Sequence, residues 1–90
     1  MYEIIFTKEA DLNIENIKYY IWENIYSLKV IDSIYNTISL LENNPEMWIE
    51  IVKLEREIVE PRYKYQIRYA IIWKEIYILL IYKFNNIKWR

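Results

Sequence analysis

"YKYQIRYAIIWKEIYILLIYKFNNIKWR", residues 63–90, decides how this chain folds. Over 63–72, Tyr63, Tyr65, Ile67, Tyr69 and Ile71 alternate with Lys64, Gln66, Arg68, Ala70 and Ile72. That period of two predicts a strand with one apolar and one largely polar face. "WKE" at 73–75 reads as the turn, although it lacks the Gly or Asn such turns favour. "IYILLIY" at 76–82 is apolar on both faces, which suits a central strand covered on both sides. A membrane hairpin is excluded: that run has seven residues, against about 20 for a spanning helix, and an isolated hairpin in lipid would leave its edges unsatisfied.

Upstream, "EREIVE" predicts a strand over 55–60, and Pro61 breaks its ladder in favour of an edge or a turn. Met47, Trp48, Ile49, Ile51, Val52 and Leu54 fit either a core-packed loop or a short strand over 46–54. Ile31, Ile34, Ile38 and Leu41 make a helical stripe, which predicts a helix over 27–43 with Ser27 as its N-cap, ended by "ENNPE". Ala10, Ile14, Ile17 and Ile21 make another, over 8–24, with Thr7 positioned to cap it and Glu9 and Asp11 in its first turn. "YEIIFT" (Tyr2–Thr7) is the first strand. The short break between the helices predicts an antiparallel helical hairpin. The order β-α-α-β-β-β implies an α+β fold, the hairpin packed on one face of a small antiparallel sheet. The other face would carry Lys64, Gln66 and Arg68, with Lys83 at the end of the next strand.

Ninety residues make one domain, 1–90. A hydrophobic fraction of 54% fits a packed core and not a disordered chain. With no Cys and no His, thiol chemistry and an ordinary zinc site are ruled out, and no metal site is expected. With no Gly, glycine-built phosphate loops are ruled out as well. Early charges at Glu3, Lys8, Glu9 and Asp11 argue against a secretory signal, so a cytoplasmic location is expected. The net charge of −1 conceals an asymmetry: residues 1–60 hold five basic against twelve acidic side chains, and residues 61–90 hold seven basic against Glu75 alone. A basic cluster suits a polyanionic partner, nucleic acid or an acidic protein; the plain alternative is a solvated sheet face.

The ordered motifs resemble the RelE/ParE superfamily, the toxins of bacterial type II toxin–antitoxin modules. The resemblance runs through "FTKEADLNIENIKYYI" (Phe6–Ile21), "ISLLENNPEM" (Ile38–Met47), "REIV" (Arg56–Val59), "YQIRY" (Tyr65–Tyr69) and "IYILLIYK" (Ile76–Lys83), in the family's order and over nearly the whole chain. It implies growth inhibition, a role in plasmid stabilisation, a cognate antitoxin that wraps the toxin, and no small-molecule cofactor. RelE-like members cleave mRNA on the ribosome with basic and aromatic groups of the last strands and C-terminus; here the candidates are Lys64, Arg68, Lys83 and Trp89. ParE-like members instead poison DNA gyrase by binding. Gln66 stands where the family commonly keeps Arg, and "KFNN" (Lys83–Asn86) where it commonly keeps His or Arg. Those differences, with a pI near 5.5, favour the ParE-like reading. The RelE-like nuclease and a non-toxic interaction module with the same fold are the alternatives. The expected target-binding set is Arg56, Arg62, Lys64, Gln66, Arg68, Lys83, Lys88 and Arg90. Arg56 is equally suited to a structural ion pair. Tyr19, Tyr20 and Trp22 give the first helix an aromatic side beyond its core stripe and are the candidate antitoxin contacts.

Overall fold

A computed structural model describes residues 1–21 and 26–83. Five strands, β1 (Glu3–Phe6), β2 (Ile49–Val52), β3 (Glu55–Glu60), β4 (Tyr65–Ile72) and β5 (Glu75–Lys83), form one sheet in the order β1-β5-β4-β3-β2. Two helices, α1 (Lys8–Ile21) and α2 (Tyr26–Ser39), cover one face, and α2 runs on into a 3-10 turn at Leu40–Glu42. The α+β reading holds, with one correction. The sheet is mixed, because β1 pairs parallel to β5; α1 and α2 carry the chain from β1 at one edge to β2 at the other, and β3, β4 and β5 lead back to β1. The ambiguous stretch splits into a 3-10 turn (Pro45–Met47) and the edge strand β2, whose register slips between Glu50 and Val52. That irregularity explains why no clean alternation marks β2 in the sequence.

Periodicity settles the core. Ala10, Ile14 and Ile17 of α1 and Val30, Ile31, Ile34 and Ile38 of α2 are buried against Ile58, Ile67, Tyr69, Ile76, Ile78 and Ile81. Each buried Ile or Val among them contributes roughly 1.5–3 kcal/mol by leaving water. Thr7 caps α1 as its sequence position suggested. Its Oγ1 accepts from the Ala10 amide at 3.2 Å and donates to the Ile78 carbonyl at 2.7 Å, so one hydroxyl starts the helix and ties it to β5. Ser27 is not the cap of α2, which already begins at Tyr26.

The double leucine in β5 has a structural reason. Arg68 pairs with Leu80 but Tyr69 with Ile78, so one residue of β5 is extra and the strand bulges there. The bulge shifts the phase and keeps Ile76, Ile78 and Ile81 all facing the helices. β5 is therefore an inner strand, as expected, but the helices cover only one of its faces. On the other face Tyr77, Leu80 and Tyr82 are half-buried.

With no Gly in the chain, the turns place other residues in the left-handed region: Leu54 at φ 70°, Lys64 at φ 64° and Trp73 at φ 65°. Each costs about 1–2 kcal/mol relative to a right-handed conformation. The β4–β5 turn is only Trp73–Lys74, since Ile72 already pairs with Glu75.

Candidate target-binding site

Strand register decides which cations can act together, because directly paired residues point to the same face. Gln66, Arg68, Ala70 and Ile72 of β4 lie on the face away from the helices. Their partners there are Val59, Glu57 and Glu55 on β3 and Tyr82, Leu80, Tyr77 and Glu75 on β5. Arg68 approaches Glu55 at 3.9 Å, with both side chains 35% exposed. Tyr82 donates to Glu57 at 2.6 Å, and Tyr77 to Glu75 at 2.6 Å. The Tyr82 hydroxyl is pushed above its ordinary value, by burial first and then by the bond to Glu57. Gln66 Oε1 and Arg68 Nε are buried with no hydrogen-bond partner among the described residues. This face is a cation among carboxylates, not the basic platform that the alternation suggested.

Lys64 and Lys83 do not share it. Lys64 precedes β4, in the turn and at positive φ, so the strand alternation does not reach it. Lys83 pairs with Tyr65, and Tyr65 with Glu60, so the row Glu60–Tyr65–Lys83 crosses three strands on the helix side of the sheet. The Lys83 ammonium sits 5.5 Å from the centroid of the Tyr65 ring, and the Arg62 guanidinium 6.0 Å from that of Tyr63. Arg62 also lines a polar groove with Lys29, Asp32, Ser33 and Asn36 of α2. Arg62, Lys64 and Lys83 thus gather at one end of the sheet, and Lys29 joins them. Lys29 belongs to none of the sequence motifs and was not among the expected site residues.

Arg56 makes structural bonds. Its Nη1 donates to the carbonyls of Glu46 at 3.2 Å and Trp48 at 2.7 Å, fastening the segment before β2 to β3. Nearby, the buried Tyr69 hydroxyl donates to the Pro45 carbonyl at 2.5 Å, and burial pushes it up to about 12 against a weaker opposing pull from Arg56. On α1, Tyr19 is 73% exposed and lines a groove with Glu15, Asn16 and Lys18. The side chain of Tyr20, and Trp22, Lys88, Trp89 and Arg90, lie outside the described residues.

Beneath the basic corner is a carboxylate that sequence reasoning missed. Glu60 is 0% exposed. Its Oε2 accepts from Ser33 Oγ at 2.6 Å and from the Arg62 amide at 2.7 Å; its Oε1 accepts from the amides of Tyr63 at 3.0 Å and Tyr65 at 3.4 Å. Burial raises its pKa, but these four donors outweigh burial and hold it below the usual carboxylate value. The Lys64 amide closes the same turn on the Glu60 carbonyl at 3.0 Å. Among the described residues no group of acids could hold a metal ion, and no helix is long and apolar enough to cross a membrane.

No protein-family model matches the chain, and no curated protein matches it. A solved structure does. A chain of the chromosomal ParDE TA system from P. aeruginosa superimposes with a TM-score of 0.80 at 20% identity, over 92% of this chain and 96% of that one. The two chains share one fold. The β-α-α-β-β-β architecture expected from the motifs is the one this chain has, and the ParDE chain matches it over nearly its whole length. At 20% identity the likeness is one of backbone, and what the side chains do follows from the geometry above.

Proposed function

We propose that this chain is the toxin of a type II toxin–antitoxin module, held inactive by a cognate antitoxin protein in the cytoplasm. In this reading it acts ParE-like, binding DNA gyrase, and is not a ribosome-dependent mRNA endonuclease. The shared fold supports the module, and the sorting of the cations supports the mode of action. Cleavage of RNA through its 2′-hydroxyl needs cations converging on one phosphorane. Here Gln66 brings no charge, Arg68 is engaged by Glu55 on the face away from the helices, and Lys83 points to the helix side. Lys64, Arg68 and Lys83 therefore do not surround one point. A binding poison requires no such convergence, only an accessible charged surface, and Arg62, Lys64 and Lys83 supply one. The exposed Tyr19 on α1 is the proposed antitoxin contact.

Induced expression tests the module: growth should stop and resume when the product of the neighbouring gene is supplied. Growth without arrest would leave a non-toxic interaction module. The purified chain should then inhibit supercoiling by DNA gyrase and leave ribosome-bound mRNA intact. Cut mRNA with normal supercoiling would reverse the assignment in favour of the nuclease.

A further inference from the structure

We infer that Glu60 is the positioning residue of the cationic corner: its buried carboxylate fixes the turn that presents Arg62 and Lys64 and the tyrosine beneath Lys83, so that the corner meets a phosphodiester backbone already built. The inference rests on the reading that this corner is the contact surface of a gyrase poison, and it takes the DNA that gyrase holds as the part the corner meets.

Pro61 has no N–H, and the turn that follows must still satisfy the amides of Arg62, Tyr63 and Tyr65. All three point at Glu60, which makes the turn an anion nest filled by the protein's own side chain. Ser33 adds the fourth bond and ties the nest to α2. The same α2 stripe places Lys29 beside Arg62 in the groove. Without this anchor, residues 61–64 would be a glycine-free turn with Lys64 in the left-handed region, closed by the bond from the Lys64 amide to the Glu60 carbonyl and without an acceptor for the amides of Arg62, Tyr63 and Tyr65 in the Glu60 side chain. Glu60 is on the same register row as Tyr65 and Lys83, so the anchor also sets the strand end on which the Lys83 ammonium rests. Phosphodiester is the ligand chemistry that fits. The corner offers Arg62, Lys64 and Lys83 as exposed cations on flexible stems. Cations alone suffice for a nucleic-acid backbone.

The test turns on the sign of an effect. If Glu60 were only a nearby negative charge, Glu60→Gln would tighten anion binding. A positioning role predicts the reverse. Binding of a fluorescent single-stranded oligonucleotide to the full chain would be followed against salt concentration. Lys83→Gln should weaken binding and lower the salt slope by about 1. Glu60→Gln should weaken it about 5-fold or more, on the order of losing one charge-assisted hydrogen bond to the nest. Asp32→Asn, which removes an acid from the same groove without touching the turn, should tighten it. Amide exchange at Tyr63 and Tyr65 should accelerate in Glu60→Gln. If that variant does not fold, as read by circular dichroism, Ser33→Ala carries the test, with a smaller weakening expected. Unchanged or tighter binding in the folded Glu60 variant, or in Ser33→Ala in its place, overturns the inference. So does a natural chain that binds no oligonucleotide. Growth arrest is a separate readout: oligonucleotide binding that depends on Glu60 in a chain that arrests nothing would sink the toxin reading and leave the positioning role standing.

Discussion

The corner at Glu60, Tyr65 and Lys83 and the sheet face at Glu57, Arg68 and Tyr82 are built from the same three strands, and they treat charge in opposite ways. At the corner the acid is buried and spent on backbone amides, and the cations stand outside over tyrosine rings. On the sheet face the acids remain at the surface and hold the cation and the tyrosine hydroxyl between them. Net charge by segment does not distinguish the two. What distinguishes them is where each carboxylate finds its hydrogen bonds. A basic stretch becomes a basic surface only where its neighbouring acids are turned inward.

The contrast can be broken most sharply by removing the buried acid. Glu60→Ala should destabilise the fold by about 3 kcal/mol in urea unfolding, because three backbone amides lose their acceptor in a buried site. Glu57→Ala, on the sheet face, should cost about 1 kcal/mol or less. Equal losses would mean that the corner is no more tightly built than the face.

A second difference lies in pH. The Glu60 carboxyl is held below its ordinary 4.5 in the folded chain. Its contribution is therefore complete above the unfolded value and is lost as pH falls through the folded one. An acid titration of stability should lose that step in Glu60→Gln and keep it in Glu57→Gln. Tyr69 works from the alkaline side: with its hydroxyl at about 12, stability should decline as pH rises above the unfolded value near 10. Tyr69→Phe should shrink that limb, leaving the part that Tyr82 contributes, and cost about 1–1.5 kcal/mol at neutral pH through the lost bond to Pro45. The smallest effect concerns the far end of the sheet. Trp73 is 90% exposed at positive φ, so Trp73→Gly should raise stability by about 1 kcal/mol. Lys64→Gly should gain less, if Glu60 already offsets the strain of that turn.

Much of the fold was legible because period and burial coincide. Tyr65, Ile67, Tyr69 and Ile71 alternate, the α1 and α2 stripes repeat at three and four, and β3 matches "EREIVE" residue for residue. Legibility failed where the chain departs from strict period. The slip in β2 and the extra residue in β5 hide strand phase, and no local pattern announces that β1 runs parallel to β5. The proposed site was legible only in part. Arg62, Lys64 and Lys83 stand together, but Arg68 is turned to the other face by the alternation that made it look like their companion. Glu60 figured only as the last residue of the strand predicted over 55–60. The available signal was its place directly before Pro61 and a glycine-free turn, where several amides need one acceptor.

The central claim is that toxicity acts through the corner and not through the sheet face. Viable counts after induction of the Arg62→Glu/Lys83→Glu double variant, beside Arg68→Gln and the natural chain, test it most directly. The account predicts that the natural chain and Arg68→Gln arrest growth and that the corner variant, folded by circular dichroism, does not. Arrest by the corner variant together with normal growth of Arg68→Gln would contradict it.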